Sequence, residues 1–85
     1  MAYSIGFEPI ALRQLNKLDR NIQARLRPKI LALAENPRPH GVKKLRGYEN
    51  TYRIRVGDYR IVYEIHDNVL WILIVEVGHR SDVYD

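Results

Sequence analysis

The chain has 85 residues, a net charge of +4 and no cysteine. A chain this short makes one domain, residues 1–85, and buries only about 60% of its unfolded surface. Lack of cysteine excludes a disulfide framework and thiolate metal ligands, and fits a reducing cytoplasm. A hydrophobic content of 46% is too high for a disordered chain.

The first ten residues lack the charged and apolar regions of a signal peptide. The longest apolar stretch, Val69 to Val75, is too short to cross a bilayer, so no membrane partner is expected. Tyr3 to Phe7 combines β-forming residues with rough alternation and predicts a short strand. Glu8-Pro9 then starts a helix, since the missing N–H of proline is harmless in a first turn. Ala11, Leu12, Leu15 and Leu18 give one apolar stripe at helical spacing. Asp19 is placed to N-cap a second helix from about Arg20 to Glu35. Its apolar face is Ile22, Leu26, Ile30, Leu33 and Ala34. Pro28 stands mid-helix, where proline costs about 3 kcal/mol, so a kink or local break is expected there. Asn36-Pro37-Arg38-Pro39 ends the helix. The two helices are expected to form an antiparallel hairpin through Leu18 to Asn21.

From residue 42 the period changes to two. Val42 to Leu45 predicts a short strand and Arg46 to Asn50 a loop. Thr51 to Val56, Tyr59 to Ile65 and Val69 to Val77 predict three strands, with Gly57-Asp58 and His66-Asp67-Asn68 as turns. The fold class is α+β: an N-terminal β-strand, a two-helix antiparallel hairpin, then an antiparallel β-meander sheet covered on one face by the helices.

Charge concentrates in the middle of the chain. Between Arg38 and Arg60, seven basic residues (Arg38, Lys43, Lys44, Arg46, Arg53, Arg55, Arg60) meet only Glu49 and Asp58. If Gly57-Asp58 is a two-residue turn, Val56 pairs with Tyr59, Arg55 with Arg60 and Arg53 with Val62. Tyr52, Ile54, Val56, Tyr59, Ile61 and Tyr63 then form an apolar face for the helices, while Arg53, Arg55 and Arg60 share the other. Like charges directly opposite are destabilising, so a solvated face would more cheaply carry Thr or Glu. Converging guanidiniums instead suit phosphate, which they grip bidentately while staying charged. Trp71, Tyr52, Tyr59 and Tyr63 are better explained as core residues than as base-stacking groups. His79 is the only histidine beside the cluster, and its ordinary pKa near 6.5 suits proton transfer. No Gly-rich phosphate loop, paired metal ligands or Ser/His/Asp signature occurs.

Lys44-Leu45-Arg46-Gly47, Tyr52-Arg53-Ile54-Arg55-Val56, Gly57-Asp58-Tyr59-Arg60-Ile61-Val62-Tyr63 and Val77-Gly78-His79-Arg80 together resemble the RelE/ParE superfamily of bacterial toxins. The resemblance covers nearly the whole chain. It implies a type II toxin–antitoxin toxin that cuts mRNA in the ribosomal A site. In the family's reaction the ribose 2′-hydroxyl attacks the adjacent phosphate, leaving a cyclic phosphate and a free 5′-hydroxyl, without metal or other cofactor. Carried over residue by residue, Arg53 and Arg55 match the family's basic strand pair, Arg60 and Arg80 its arginines, and Tyr84 its terminal tyrosine. Lys43, Lys44 and Arg46 are the expected RNA-binding residues beside them. RelE itself has lysines at the strand pair. Arginine stabilises a phosphorane well but is a poor acid or base, which shifts proton transfer toward His79 or Tyr84. The implied partners are a cognate antitoxin, the ribosome and mRNA. The alternative within the superfamily is a ParE-like gyrase inhibitor without nuclease chemistry.

Overall fold

The computed structural model describes residues 2–79. Strand β1 (Ser4–Phe7) leads into helices α1 (Pro9–Asn16) and α2 (Arg20–Ala32), followed by β2 (Lys43–Lys44), β3 (Thr51–Val56), β4 (Tyr59–His66) and β5 (Trp71–His79). The five strands form one sheet in the order β1-β5-β4-β3-β2. Strands β2 to β5 pair antiparallel as expected, whereas β1 joins the edge of β5 in parallel, Ser4 opposite Trp71 and Phe7 opposite Ile74. Hydrogen bonds to the carbonyls of Leu70 and Ile74 from Ser4 and Glu8 complete that edge. Both edge strands are short, and β2 is two lysines, which disfavours pairing with another chain.

The helices cover one face of this sheet. Pro9 occupies the first turn of α1, whose Ala11 and Leu15 are fully buried. Leu12, expected on the same stripe, is instead 40% exposed, because α1 buries a narrower stripe than the spacing suggested. Helix α2 starts after Asp19 and presents Leu26 and Ile30 inward, with Leu33 just beyond its end. It stops at Ala32 rather than Glu35 and runs unbroken through Pro28. Pro28 and Ala24, whose carbonyl loses its partner, are both exposed, so water can satisfy that oxygen without a break in the helix. Gln23 and Arg27 reach back to Asn16 and Leu18 across the helix connection.

Against the helices lie Ile54, Ile61, Tyr63, Ile65, Ile72, Ile74 and Val77, with Tyr52, Val56 and Tyr59 packed at the margin. These are the apolar faces predicted for β3 and β4. Trp71 departs from its expected core role. It is half-buried, outside this cluster, and its ring lies over Gly6 of β1. A Cβ on Gly6 would come within 2.2 Å of the Trp71 ring. Gly6→Ala must therefore displace the indole or lift β1, and is expected to cost about 1–3 kcal/mol in chemical unfolding. A variant as stable as the parent would show that the ring does not rest there.

Opposite the arginine end, one polar cluster ties four segments together. Arg38 grips Asp67 with two guanidinium nitrogens (3.2 and 2.9 Å), donates to the Tyr52 hydroxyl, and lies over the Tyr52 ring. Tyr3 donates its hydroxyl to the same carboxylate. The Arg38 and Tyr3 hydrogen bonds hold the Asp67 carboxyl down at about 2, from an ordinary 3.8. Folding therefore gains from this ionisation above pH about 4 and loses it as pH falls toward about 2. Asp67→Asn is expected to lower the melting temperature at pH 7, with the gap closing as pH drops through that window. A gap that did not change with pH would separate the cluster from stability.

Candidate active site

Gly57-Asp58 forms the two-residue hairpin turn, with Gly57 at φ +61° and Asp58 not in the left-handed region, the pattern of a glycine-first primed turn. This fixes the register deduced from the sequence: Val56 opposite Tyr59, Arg55 opposite Arg60, Arg53 opposite Val62. Residues paired across a sheet share a face. The face turned away from the helices is therefore laid out in rows. One row is Arg55, Arg60 and Gly78; the next is Lys43, Arg53, Val62 and Glu76; the third is Thr51, Glu64 and Leu73. Successive rows lie two residues apart, about 7 Å along the strands.

A β-bulge sets which residues of β5 join this face. Tyr63 pairs with Ile74 but Val62 with Glu76, leaving Val75 as the extra residue. Without it, Val77 would stand opposite Arg60 and Glu76 would point at the core. With it, Val77 is buried, and the residue facing Arg60 is Gly78, which has no side chain to crowd the guanidinium.

The three arginines differ in access. Arg55 is exposed and Arg60 half-buried, whereas Arg53 is 5% exposed beside the small apolar patch of Leu45, Val62 and Val75. A buried guanidinium acts mainly through its field, which is stronger where water is excluded. Arg55 and Arg60 are the more accessible pair on this face. Lys43 shares a row with Arg53. Lys44 lies opposite Tyr52, so alternation puts it at the sheet margin on the helix-facing side. Arg46 is exposed in the loop after β2. That loop is held by Leu45, which is buried against Val62 and donates its N–H to the Thr51 carbonyl. Gly47 takes φ +83°, a left-handed conformation that glycine adopts without strain, and turns the chain back to β3.

His79 is placed apart from the arginine row. It pairs opposite Tyr59, on the helix-facing side, and meets the Tyr59 ring edge-on at 5.5 Å. The reason is alternation: with Gly78 facing Arg60, its neighbour must turn the other way. Arg80 and Tyr84 lie outside the described residues. Glu64 and Glu76, which the sequence reading did not single out, both belong to the arginine face. The signal for Glu76 was available: with Ile72 and Ile74 inward, simple alternation would bury a carboxylate. Among the described residues no cluster of His, Asp or Glu is grouped to hold a metal ion.

A family model described as "ParE toxin of type II toxin-antitoxin system, parDE" matches residues 5–84. The chain is 34% identical to the mRNA interferase toxin RelE of Escherichia coli K12, covering 99% of this chain and 92% of that protein. Its fold superposes on RelE in the intact E. coli RelBE toxin–antitoxin complex with a TM-score of 0.81 at 31% identity, covering 92% of this chain and 96% of the other. It superposes on the archaeal RelE–RelB complex of Pyrococcus horikoshii with a TM-score of 0.83 at 26% identity, covering 98% and 100%.

Proposed function

The chain belongs to the RelE/ParE superfamily of type II toxin–antitoxin toxins, on its RelE-like side, and from that premise we propose that it is an mRNA interferase working on translating ribosomes in the cytoplasm. The observation that carries this reading is the Arg55–Arg60 pair, held directly opposite across β3 and β4 at a cost in like-charge repulsion.

The chemistry follows from that pair. The ribose 2′-oxygen attacks the neighbouring phosphorus and gives up its proton. The 5′-oxygen departs and takes a proton, leaving a 2′,3′-cyclic phosphate and a 5′-hydroxyl. Charge accumulates on the phosphoryl oxygens in the transition state, and preorganised cations lower that barrier more than they bind the ground state. Arg55 and Arg60 take the phosphoryl oxygens. Arg53 and Lys43, one row away, add field and hold flanking backbone; Lys44 and Arg46 at the margin attract the strand. Arg80 as a further phosphate ligand and Tyr84 as a stacking or orienting group rest on the resemblance. With His79 on the opposite face, the proton-transfer groups are better sought in Tyr84, in the ribosome or in the RNA itself.

A cognate antitoxin is the second partner, as the RelBE complexes suggest for their own toxins. No observation favours the gyrase-inhibitor alternative, and the relative from Escherichia coli K12 is an mRNA interferase. The test is to add purified protein to a reconstituted translation system and map 5′ ends by primer extension. Cuts within the A-site codon that require ribosomes are expected. Intact message would overturn the proposal.

A further inference from the structure

On the arginine face, below the phosphate pair, the sheet carries a pocket of about 250 Å³. Leu45, Val62 and Val75 form its apolar part, Tyr48 and Thr51 stand on the loop side, and Glu64 and Glu76 supply its carboxylates. This is small for an ordinary ligand site, which runs from roughly 300 Å³, and suits one planar ring. Tyr48 is 57% exposed and offers an aromatic surface at the rim. We propose that this pocket receives one nucleobase of the bound RNA, and that Glu76 and Glu64 select a base bearing an amino group on its Watson–Crick edge.

This inference rests on the interferase reading and specifies its substrate. Glu76 is one row, about 7 Å, from the Arg55–Arg60 pair, within reach of a base whose own phosphate sits there. The Glu76 side chain makes no hydrogen bond or ion pair with another described residue. Glu64 accepts through Oε1 from His66 at 2.8 Å, which fixes its carboxylate and leaves Oε2 without a partner among the described residues. Carboxylates this close to a phosphate site repel the RNA backbone unless they meet donors. Unpaired bases in single-stranded RNA present such donors, and stack on aromatic rings as they do so. Adenine, cytosine and guanine each offer an exocyclic N–H. Uracil instead flanks its one ring N–H with two carbonyls that face the carboxylates unfavourably. The bulge at Val75 is what makes the site possible, since it turns Glu76 out of the core and puts Val75 in the pocket wall.

The experiment compares cleavage across all A-site codons for the wild-type protein, Glu76→Gln, Glu64→Gln and Tyr48→Ala, each checked by thermal melting. Wild type is expected to disfavour uracil at one codon position. Glu76→Gln should shrink that preference about tenfold, because an amide can both donate and accept. Glu64→Gln should act in the same direction. Tyr48→Ala should raise KM at every codon without changing the preference. Folded glutamine variants with the wild-type codon profile would overturn the base pocket and leave the interferase standing. So would a glutamine variant whose only defect is weaker antitoxin binding, which would make the pocket a peptide site. No cleavage by wild type at any codon would instead sink the interferase reading itself.

Discussion

Arg60→Ala is expected to lower A-site cleavage by about a hundredfold or more while leaving the protein folded. Removing one preorganised donor from a charge-stabilising site typically costs 10²–10³ in rate, and Arg60 is the half-buried member of the Arg55–Arg60 pair proposed to hold the phosphate. Arg60→Lys should recover only part of the loss. Lysine restores the charge but not the planar fork that holds two phosphoryl oxygens at once. The loss should fall on kcat more than on KM, because flanking cations still bind the message. The melting temperature should move by a few degrees at most, since alanine relieves Arg55 of an opposing charge. The measurement is single-turnover cleavage on programmed ribosomes beside a thermal melt. Undiminished cleavage would remove the arginine face from the mechanism, and a collapse in melting temperature would turn the effect into one of folding.

That variant is well defined because the hairpin register follows from the sequence. Gly57-Asp58 is a strong local signal, and a two-residue turn leaves no freedom in the pairing of β3 with β4. The buried set on those strands followed from it. Where the sequence misled, a competing physical effect was at work. Pro28 promised a break, but the Ala24 carbonyl that it leaves without a donor belongs to an exposed stretch open to water, and the helix continues. Leu12 matched the apolar spacing of α1, yet a short helix at the margin buries less of its circumference. The parallel pairing of β1 with β5 joins segments more than sixty residues apart, and no local pattern encodes a contact at that separation.

The arginine face was legible to the same depth. Arg53, Arg55 and Arg60 lie on one face as the alternation required. Their unequal exposure was not legible, because alternation assigns Arg53 a face but not the tertiary surroundings that leave it 5% exposed. The position of His79 in sequence places it beside the cluster, but the bulge at Val75 reverses the parity on which that expectation depends. The same bulge delivers Glu76 to the arginine face. One extra residue in β5 thus decides which side chains stand beside Arg55 and Arg60.

Tyr63→Ala is expected to cost about 3–5 kcal/mol, the range for losing a buried aromatic ring, against a total of about 5–15 kcal/mol for a domain. Tyr63 is fully buried on the middle strand β4, stacks on Tyr52 at 6.2 Å, and donates its hydroxyl to the Pro37 carbonyl at 2.7 Å. It also pairs with Ile74, at the step where the bulge begins, so the ring supports the part of β5 that aims Glu76 and Gly78. Tyr63→Phe keeps the ring and leaves only the Pro37 carbonyl short of a partner, which costs about 1 kcal/mol. The two variants are distinguished by urea unfolding. Alanine should also lose cleavage at 37 °C through its unfolded fraction, while phenylalanine should cut normally. Alkaline pH separates wild type from both. Burial pushes the phenol above its ordinary value of 10, so the unfolded state ionises first and wild-type stability falls as pH rises past 10. Tyr63→Phe should show a shallower fall. Equal alkaline slopes in wild type and Tyr63→Phe, or an alanine variant within about 1 kcal/mol of wild type, would mean that the ring beneath the arginine face is not what holds its register.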